Sequence, residues 1–279
     1  MTRLPVVAGK FYEGEETLLE QRLEDCFSKK MGPGRIPESS PGEKRNLKAV
    51  IAPHAGYVYS GMTAAHSYMG IFEDGRPDHI VIMGPNHSGH GAPVAVCEED
   101  WETPLGVVKF DTELGSAILE ENEFAQSDCV AHAREHSIEV QLPFLQYIFD
   151  DPPAFVPICL KTQSYEICRS LGETFATLGN EMDILIIASS DFTHFEPAET
   201  AKRKDNQAME YLEFLDAEGF IDFVRKHRIS ICGAGPIASA VVYANKQGAE
   251  EFRLLQYSNS GDVTGDKESV VAYVAAEIL

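Results

Sequence analysis

The sequence lacks any long apolar run. No window approaches the roughly 18 consecutive apolar residues that a membrane-spanning helix requires. The first ten residues, MTRLPVVAGK, also lack the apolar stretch of a signal peptide. We therefore expect a protein that works in the cytoplasm and does not enter a membrane.

Basic residues are scarce. The 279-residue chain has 23 Lys and Arg against 44 Asp and Glu, which gives a formal net charge of -21. A surface of this sign repels the phosphates of nucleic acids and the headgroups of anionic lipids. The composition therefore argues against nucleic acid and against a membrane surface as partners.

Cysteines are few and dispersed. The chain has six, none of them in a CxxC pair. Such spacing predicts reduced thiols of a cytosolic protein and not a disulfide framework. Only Cys232, within the stretch ICGAGP, has neighbours that suggest a functional role.

The order of predicted elements indicates an α/β fold. LKAVIA at 47–52, HIVIM at 79–83 and ILIIA at 184–188 are short apolar runs, typical of strands buried on both faces. Helical patterning occurs near 16–29, 60–70, 112–122, 136–149, 164–179, 199–214 and 235–246, and the tail predicts two strands joined by a turn at 258–265. The Gly-, Pro- and Ser-rich stretch 30–48 predicts an exposed loop. We expect one domain over residues 1–279, with a central mixed sheet flanked by helices.

Polar side chains cluster at the ends of predicted strands and at one helix start. In open α/β sheets the carboxyl ends of the strands form the binding crevice, so these clusters are expected to converge. The flanking glycines and prolines also fit ordinary turns, which is the simpler explanation for any one cluster. The four clusters are APHAGY at 52–57, MGPNHSGHG at 83–91, SSDFTHF at 189–195 and ICGAGP at 231–236.

Two histidines and a cysteine in these clusters form a candidate metal-binding set. Imidazole and thiolate donors from His54, His87 and Cys232 would suit iron, copper or zinc, and would select against magnesium and calcium. Three protein ligands leave a coordination position open, as in catalytic sites. His90 lies beside His87 and leaves open which of the two is the ligand.

Four further residues could assist such a site. Asp191 and His194 lie three residues apart after a strand, and could serve as acid and base or orient a bound water. His136 and Glu139, at i and i+3 of a predicted helix, could support the metal ligands or form a surface ion pair. A weaker alternative makes Cys232 a nucleophile with His194 as its base.

Six motifs, spread in order over nearly the whole chain, resemble those of Memo-like proteins, which in microbes are called AmmeMemoRadiSam system protein B. A set in the same order is far more specific than any one motif. The six are RLPVVAGKFY at 3–12, PHAGY at 53–57, GPNH at 84–87, EHSIEVQLP at 135–143, SSDFTH at 189–194 and CGAGP at 232–236.

The resemblance implies a fold similar to that of class III extradiol dioxygenases, in which a mixed sheet carries a cleft at its strand ends. The family's ligands, two histidines and a cysteine, carry over to His54, His87 and Cys232, and Asp191 and His194 match positions lining the same cleft. The dioxygenases use a carboxylate where this sequence has the cysteine. A thiolate ligand favours iron or copper and argues against ring-cleaving chemistry of the dioxygenase type.

Two functions of different classes follow. The first is a metal-dependent redox enzyme acting on a small molecule, with His194 as acid or base and Asp191 orienting it. The second is a non-catalytic module that holds a peptide or a partner protein in the same cleft. The resemblance also implies AMMECR-like and radical-SAM proteins as partners.

Overall fold

The computed structural model describes residues 1–37 and 45–279. The strands within these ranges are β1 (Thr2–Arg3), β2 (Ala49–Ala52), β3 (His79–Pro85), β4 (Val94–Val96), β5 (Asp100–Thr103), β6 (Gly106–Val108), β7 (Ala125–Ser127), β8 (Phe155–Leu160), β9 (Ile184–Ser189), β10 (Asp191–Glu196), β11 (Phe252–Asn259) and β12 (Val270–Ile278). The helices are α1 (Glu16–Ser28), α2 (Tyr57–Asp74), α3 (Thr112–Glu121), α4 (Leu142–Ile148), α5 (Tyr165–Leu178), α6 (Ala198–Glu213), α7 (Ala217–His227), α8 (Ala234–Lys246) and α9 (Gly261–Thr264), with a 3-10 turn at Glu139–Gln141.

A mixed sheet forms the centre of the described chain. Its nine strands include the path β10-β12-β2-β9-β3-β8-β4-β7, and β11 pairs with β12. The middle strands β2, β9, β3 and β8 run parallel, whereas β12 lies antiparallel to β2 and β4 antiparallel to β8. Strands β1, β5 and β6 form a second, small sheet. The predicted α/β class and the mixed sheet flanked by helices are confirmed.

The apolar strands separate two cores. In β3, Ile80 and Ile82 face one core, whereas Val81 and Met83 face the other. This alternation is the two-residue period of a strand with both faces covered. The first core also contains residues of α1, α2 and α4, and the second contains residues of α3, α5, α6, α7 and α8. Both faces of the sheet are therefore buried, and polar functional residues are expected at the ends of its strands.

Several predicted elements differ from those observed. The helix predicted at 136–149 begins only at Leu142, after the 3-10 turn, with Pro143 in its first turn where a missing N–H costs nothing. Residues 191–196, which follow the predicted strand at 184–188, form a strand of their own, β10, because they pair antiparallel with β12. Strand β8 and helix α7 were not predicted. Helix α7 is capped by Asp216, whose side chain accepts a hydrogen bond from the Gly219 amide.

The expectation that all cysteines are reduced is wrong for one pair. Cys97 and Cys129 form a disulfide, while the other four are free. Cys97 follows β4 and Cys129 follows β7, and these strands are parallel neighbours. Their pairing brings the two Cα atoms to 4.5 Å, within the usual range for a disulfide. The 32 residues that separate the cysteines in sequence conceal this proximity.

The loop predicted at 30–48 is described only in part, since residues 38–44 lie outside the described ranges. Near its start, Lys30, Gly34 and Arg35 are exposed, whereas Gly32 is buried. The end of the stretch is not exposed, because Leu47 is buried and Arg45 forms ion pairs with two aspartates, Asp74 and Asp183. Among the described residues, no helix combines the length and apolar character needed to cross a membrane.

Candidate metal centre

The sheet places the predicted residues at one edge. His54 follows β2, His87 follows β3, and Asp191 follows β9; these three parallel strands lie side by side with their carboxyl ends together. The backbone N–H of His54 donates to Asp191 Oδ1 at 2.8 Å. Cys232, just before α8, brings its Sγ to 3.2 Å from His54 Nε2. The structure thus gathers residues that are up to 178 positions apart in sequence.

Three histidines form a cluster compatible with a metal ion. One ring nitrogen from each of His54, His87 and His136 lies within 4.8 Å of the other two. The His54 and His87 ring centroids are 5.3 Å apart, and the His87 ring stacks on that of His136 at 4.7 Å. His54 is buried, His136 is partly buried and His87 is exposed, so the cluster opens to solvent on the His87 side. His136, predicted as a supporting residue, lies within the cluster itself.

The other nitrogen of each ring has a partner that fixes the ring. His54 Nδ1 lies 2.9 Å from Ser189 Oγ. Glu135 Oε1 lies 2.9 Å from His87 Nδ1 and 3.4 Å from His136 Nδ1. Carboxylate or hydroxyl contacts on the outer nitrogen are the usual support of metal-binding histidines. They leave the Nε2 atoms of the three rings available as donors.

The electrostatics of the cluster favour neutral imidazoles at two positions. Burial lowers the pKa of His54 well below its ordinary value, and the nearby His136 and His87 lower it further. Burial also lowers the pKa of His136, against the opposing charge of Glu135. A neutral imidazole is the form that binds a metal. The rings of His54 and His136 are therefore neutral at neutral pH, so neither has to lose a proton when a metal binds.

Glu135 and His87 behave as a charge pair. Burial acts to raise the pKa of Glu135, but the hydrogen bond and charge of His87 and the Ser137 amide more than offset it, so the pKa is lowered. Burial acts to lower the pKa of His87, yet the same contact with Glu135 raises it. The carboxylate is thus ionised and fully buried, and its negative charge faces the cluster.

Cys232 is partly exposed, and its surroundings disfavour the thiolate. Burial raises its pKa above the ordinary value, and the charge of Asp191 raises it further. A nucleophilic Cys232 would need a lowered pKa, as the start of a helix can provide, but burial has the larger effect here and raises it. A nearby cation is what would stabilise the thiolate at this position.

Asp191 and His194 line the same cleft. Burial raises the pKa of Asp191 to about 6. His194 Nδ1 lies 2.7 Å from the Ser230 carbonyl oxygen, and since a carbonyl can only accept, Nδ1 carries the proton. The Nε2 atom of neutral His194 is then an acceptor. This tautomer is the one that a general base needs.

Glu139 is buried and forms its ion pair with Arg3 inside the protein, not at the surface. Its buried carboxylate accepts hydrogen bonds from Arg3 Nη1, the Tyr12 hydroxyl and two backbone amides, those of Val6 and Val7, at 2.8 to 3.0 Å. These contacts hold the N-terminal segment, residues 3–12, next to the site. Phe11 of that segment packs on the His136 ring, with centroids 4.6 Å apart. Glu139 therefore shapes the cleft through the segment it anchors.

A cavity of about 580 Å³ opens beside the cluster. It lies within the size range of small-molecule sites. His54, His87, His136, Asp191 and His194 all line it. Cys232 is not among the residues that line it, although its Sγ lies 3.2 Å from His54 Nε2.

Sequence reasoning missed Glu135 as the residue that fixes His87, and placed Phe11 only in a motif. The sequence did offer a signal for Glu135, because this acidic residue directly precedes His136 in the EHSIE stretch.

Fold and cleft together define a mixed α/β protein with a histidine cluster suited to a metal ion at its strand ends.

Comparison with known proteins gives the family. The sequence profile of the Memo-like protein family matches residues 3–277, so the chain belongs to this family. A MEMO1 family protein of Methanopyrus kandleri is 44% identical over 278 residues, covering 99% of this chain and 98% of the relative. One from Sulfurisphaera tokodaii is 42% identical over 280 residues, covering 99% and 98%.

One solved structure is similar in fold. The crystal structure of an uncharacterized protein from Escherichia coli K12 matches with a TM-score of 0.57 and 13% identity, covering 84% of this chain and 100% of that one. At this identity the match concerns the fold alone. The likeness to class III extradiol dioxygenases stays a prediction.

Proposed function

We propose that this chain binds one iron or copper ion and uses it for redox chemistry on a small molecule in the cleft. The same ligands are compatible with zinc, which is not redox-active. The observation that carries the proposal is the cluster of His54, His87 and His136, whose donors lie within 4.8 Å of one another beside the cavity. The contacts of Ser189 and Glu135 on the outer ring nitrogens support it, because a chance cluster of histidines has no need of them.

We assign His54 and His87 as ligands, with Cys232 as the third. Donors at metal distances of about 2.0 Å for nitrogen and 2.3 Å for sulfur are roughly 3.0 to 3.5 Å apart when they bind the same ion at adjacent positions. The separation of 3.2 Å between His54 Nε2 and Cys232 Sγ fits that range. His136 competes for the same role, since its ring faces the same two histidines.

A bound iron or copper ion would supply the electron transfer that protein side chains lack. The residues of the chain would do the rest. His194 accepts or returns a proton at Nε2, because its Nδ1 proton is held by the Ser230 carbonyl. Asp191 fixes the backbone of His54 through its 2.8 Å hydrogen bond. Phe11 covers the face of His136 and limits the access of water from that side.

The experiment is a metal count per chain by elemental mass spectrometry, on untagged protein from cells supplied with iron and copper. We expect close to one ion in the wild type, and almost none after His54→Ala or His87→Ala. His227→Ala, which changes an exposed histidine on α7, is the matched control and should keep the ion. A wild-type protein that binds no metal would refute the proposal and favour the binding module.

The same samples decide the third ligand. With Cu(II) bound, a thiolate ligand gives visible charge-transfer absorption, as in copper sites with two histidines and a cysteine. Cys232→Ser should abolish this absorption and lower the metal content, whereas His136→Ala should keep the absorption. A wild type that binds copper without this absorption, and that loses the metal in His136→Ala but keeps it in Cys232→Ser, would assign His136 in place of Cys232. AMMECR-like and radical-SAM partner proteins stay predictions.

A further inference from the structure

The walls of the cleft combine aromatic rings with negative charge. Phe11, Tyr59 and Tyr273 supply aromatic surface, and Asp191 and Asp266 supply carboxylates. Among the described residues that line the cavity, there is no lysine or arginine. An organic anion would therefore find no lysine or arginine side chain to pair with in this cleft.

Two cationic side chains close to the site are held by other contacts. Lys267 directly follows Asp266, but its Nζ contacts Asn259 and Asp262, and the residue lines a separate hollow. Arg3 lies eight residues before Phe11 on the same segment, but its guanidinium is buried against Glu139 and over the Trp101 ring. Neither cation can turn to the cleft without giving up these contacts.

The proposed metal does not reverse this charge. Glu135 and Asp191, which contact His87 and His54, carry two negative charges that balance those of a divalent ion. Asp266 then leaves the cleft negative. If the third ligand is the Cys232 thiolate rather than an imidazole, the site carries one negative charge more. The sign of the cleft is therefore the same for either set of ligands.

We infer that the cleft selects a neutral or cationic molecule with an aromatic or apolar body, and rejects carboxylates, sulfonates and phosphates of similar size. The inference rests on the proposed function, because it names the class of molecule that this metal centre serves. Aromatic walls give a cation an additional attraction, since ring faces are negative. The open carboxylate of Asp266 gives the cleft its charge preference.

The test uses three probes that share a benzyl group: benzyltrimethylammonium, benzyl alcohol and phenylmethanesulfonate. None is a strong metal ligand, so the comparison reports the walls of the cleft. Binding is measured by ligand-observed NMR at pH 7.5 on zinc-loaded and metal-free protein, with zinc counted in the same samples. The variants are Asp266→Asn and, as a control of equal charge change in the same loop, Glu268→Gln, which lines the other hollow.

We expect the zinc-loaded protein to bind the ammonium probe about tenfold more tightly than the sulfonate probe. In the metal-free protein the ratio of these two affinities should be larger. Asp266→Asn should weaken the ammonium probe about threefold and leave benzyl alcohol unchanged, while Glu268→Gln changes neither. Equal binding of the ammonium and sulfonate probes, or no binding of any probe, would overturn the inference. A protein that takes up no zinc but still prefers the cation would refute the metal centre and leave the inference standing.

Discussion

Glu135 gives the sharpest single test of how the centre is built. Its side chain is fully buried, and it accepts hydrogen bonds from the His87 amide at 2.6 Å and from the amides of His136 and Ser137 at 2.9 Å, as well as contacting His87 Nδ1. Glu135→Gln keeps the shape but replaces one oxygen by an NH₂ group, which cannot accept. At least one donor of the set then loses its partner.

The magnitude follows from these contacts. Losing the carboxylate behind a metal-binding histidine lowers metal affinity by about 10- to 100-fold, or roughly 1.4 to 2.7 kcal/mol. The unpaired donor separately lowers the free energy of unfolding by about 1 to 3 kcal/mol. Competition with a chromogenic zinc chelator measures the first effect, and urea denaturation of the metal-free protein measures the second.

Glu121→Gln is the matched control, because Glu121 is exposed at the end of α3. It should change neither quantity. A folded Glu135→Gln protein that binds zinc within about twofold of the wild type would refute the reasoning, because His87 could not then be a ligand oriented by this carboxylate.

Three further predictions concern stability, each measured by urea denaturation. Arg3→Met leaves the charge of Glu139 buried and unpaired, so it should lower the free energy of unfolding by about 3 to 5 kcal/mol. Adding Glu139→Gln should recover more than half of that loss. A cost below about 1 kcal/mol for Arg3→Met alone would contradict this prediction. Burial raises the pKa of Asp205 to about 6, so its contribution to stability is greatest below about pH 4 and is lost as the pH rises through 6. Asp205→Asn should therefore gain up to about 3 kcal/mol over the wild type between pH 4 and 7, and a difference independent of pH would count against this. Reducing the Cys97–Cys129 disulfide, which spans 32 residues, should lower the free energy of unfolding by about 4 kcal/mol, and identical unfolding with and without reductant would show that the bond contributes nothing.

The sheet and much of the site could be predicted because they depend on local patterns. Apolar runs predicted β2, β3 and β9, and the polar residues that follow them predicted that His54, His87 and Asp191 would meet. When neighbouring strands are parallel, their carboxyl ends lie at the same end of the sheet, so the residues that follow them come close together.

What could not be predicted depends on contacts distant in sequence. His136 reaches the cluster from the segment before α4, which is not an α-helix. The spacing of residues along a helix therefore does not show where its side chain lies. The Cys97–Cys129 pair follows from the parallel alignment of β4 and β7, which have no strong strand pattern of their own. Glu139 faces the N-terminal segment because Arg3, 136 residues away, neutralises it, and no spacing rule links such a pair.

The distance in sequence between His54 and Cys232 also bears on the order of events in the cell. Their side chains meet across 178 residues, and the loop between them contains most of the sheet. During synthesis, His54 emerges long before its partner, and the contact forms only after β9, β10 and the start of α8 have been made. An ion held at both residues must therefore be inserted late, into a nearly complete fold. A chain that ends before residue 232 cannot hold an ion between these two side chains.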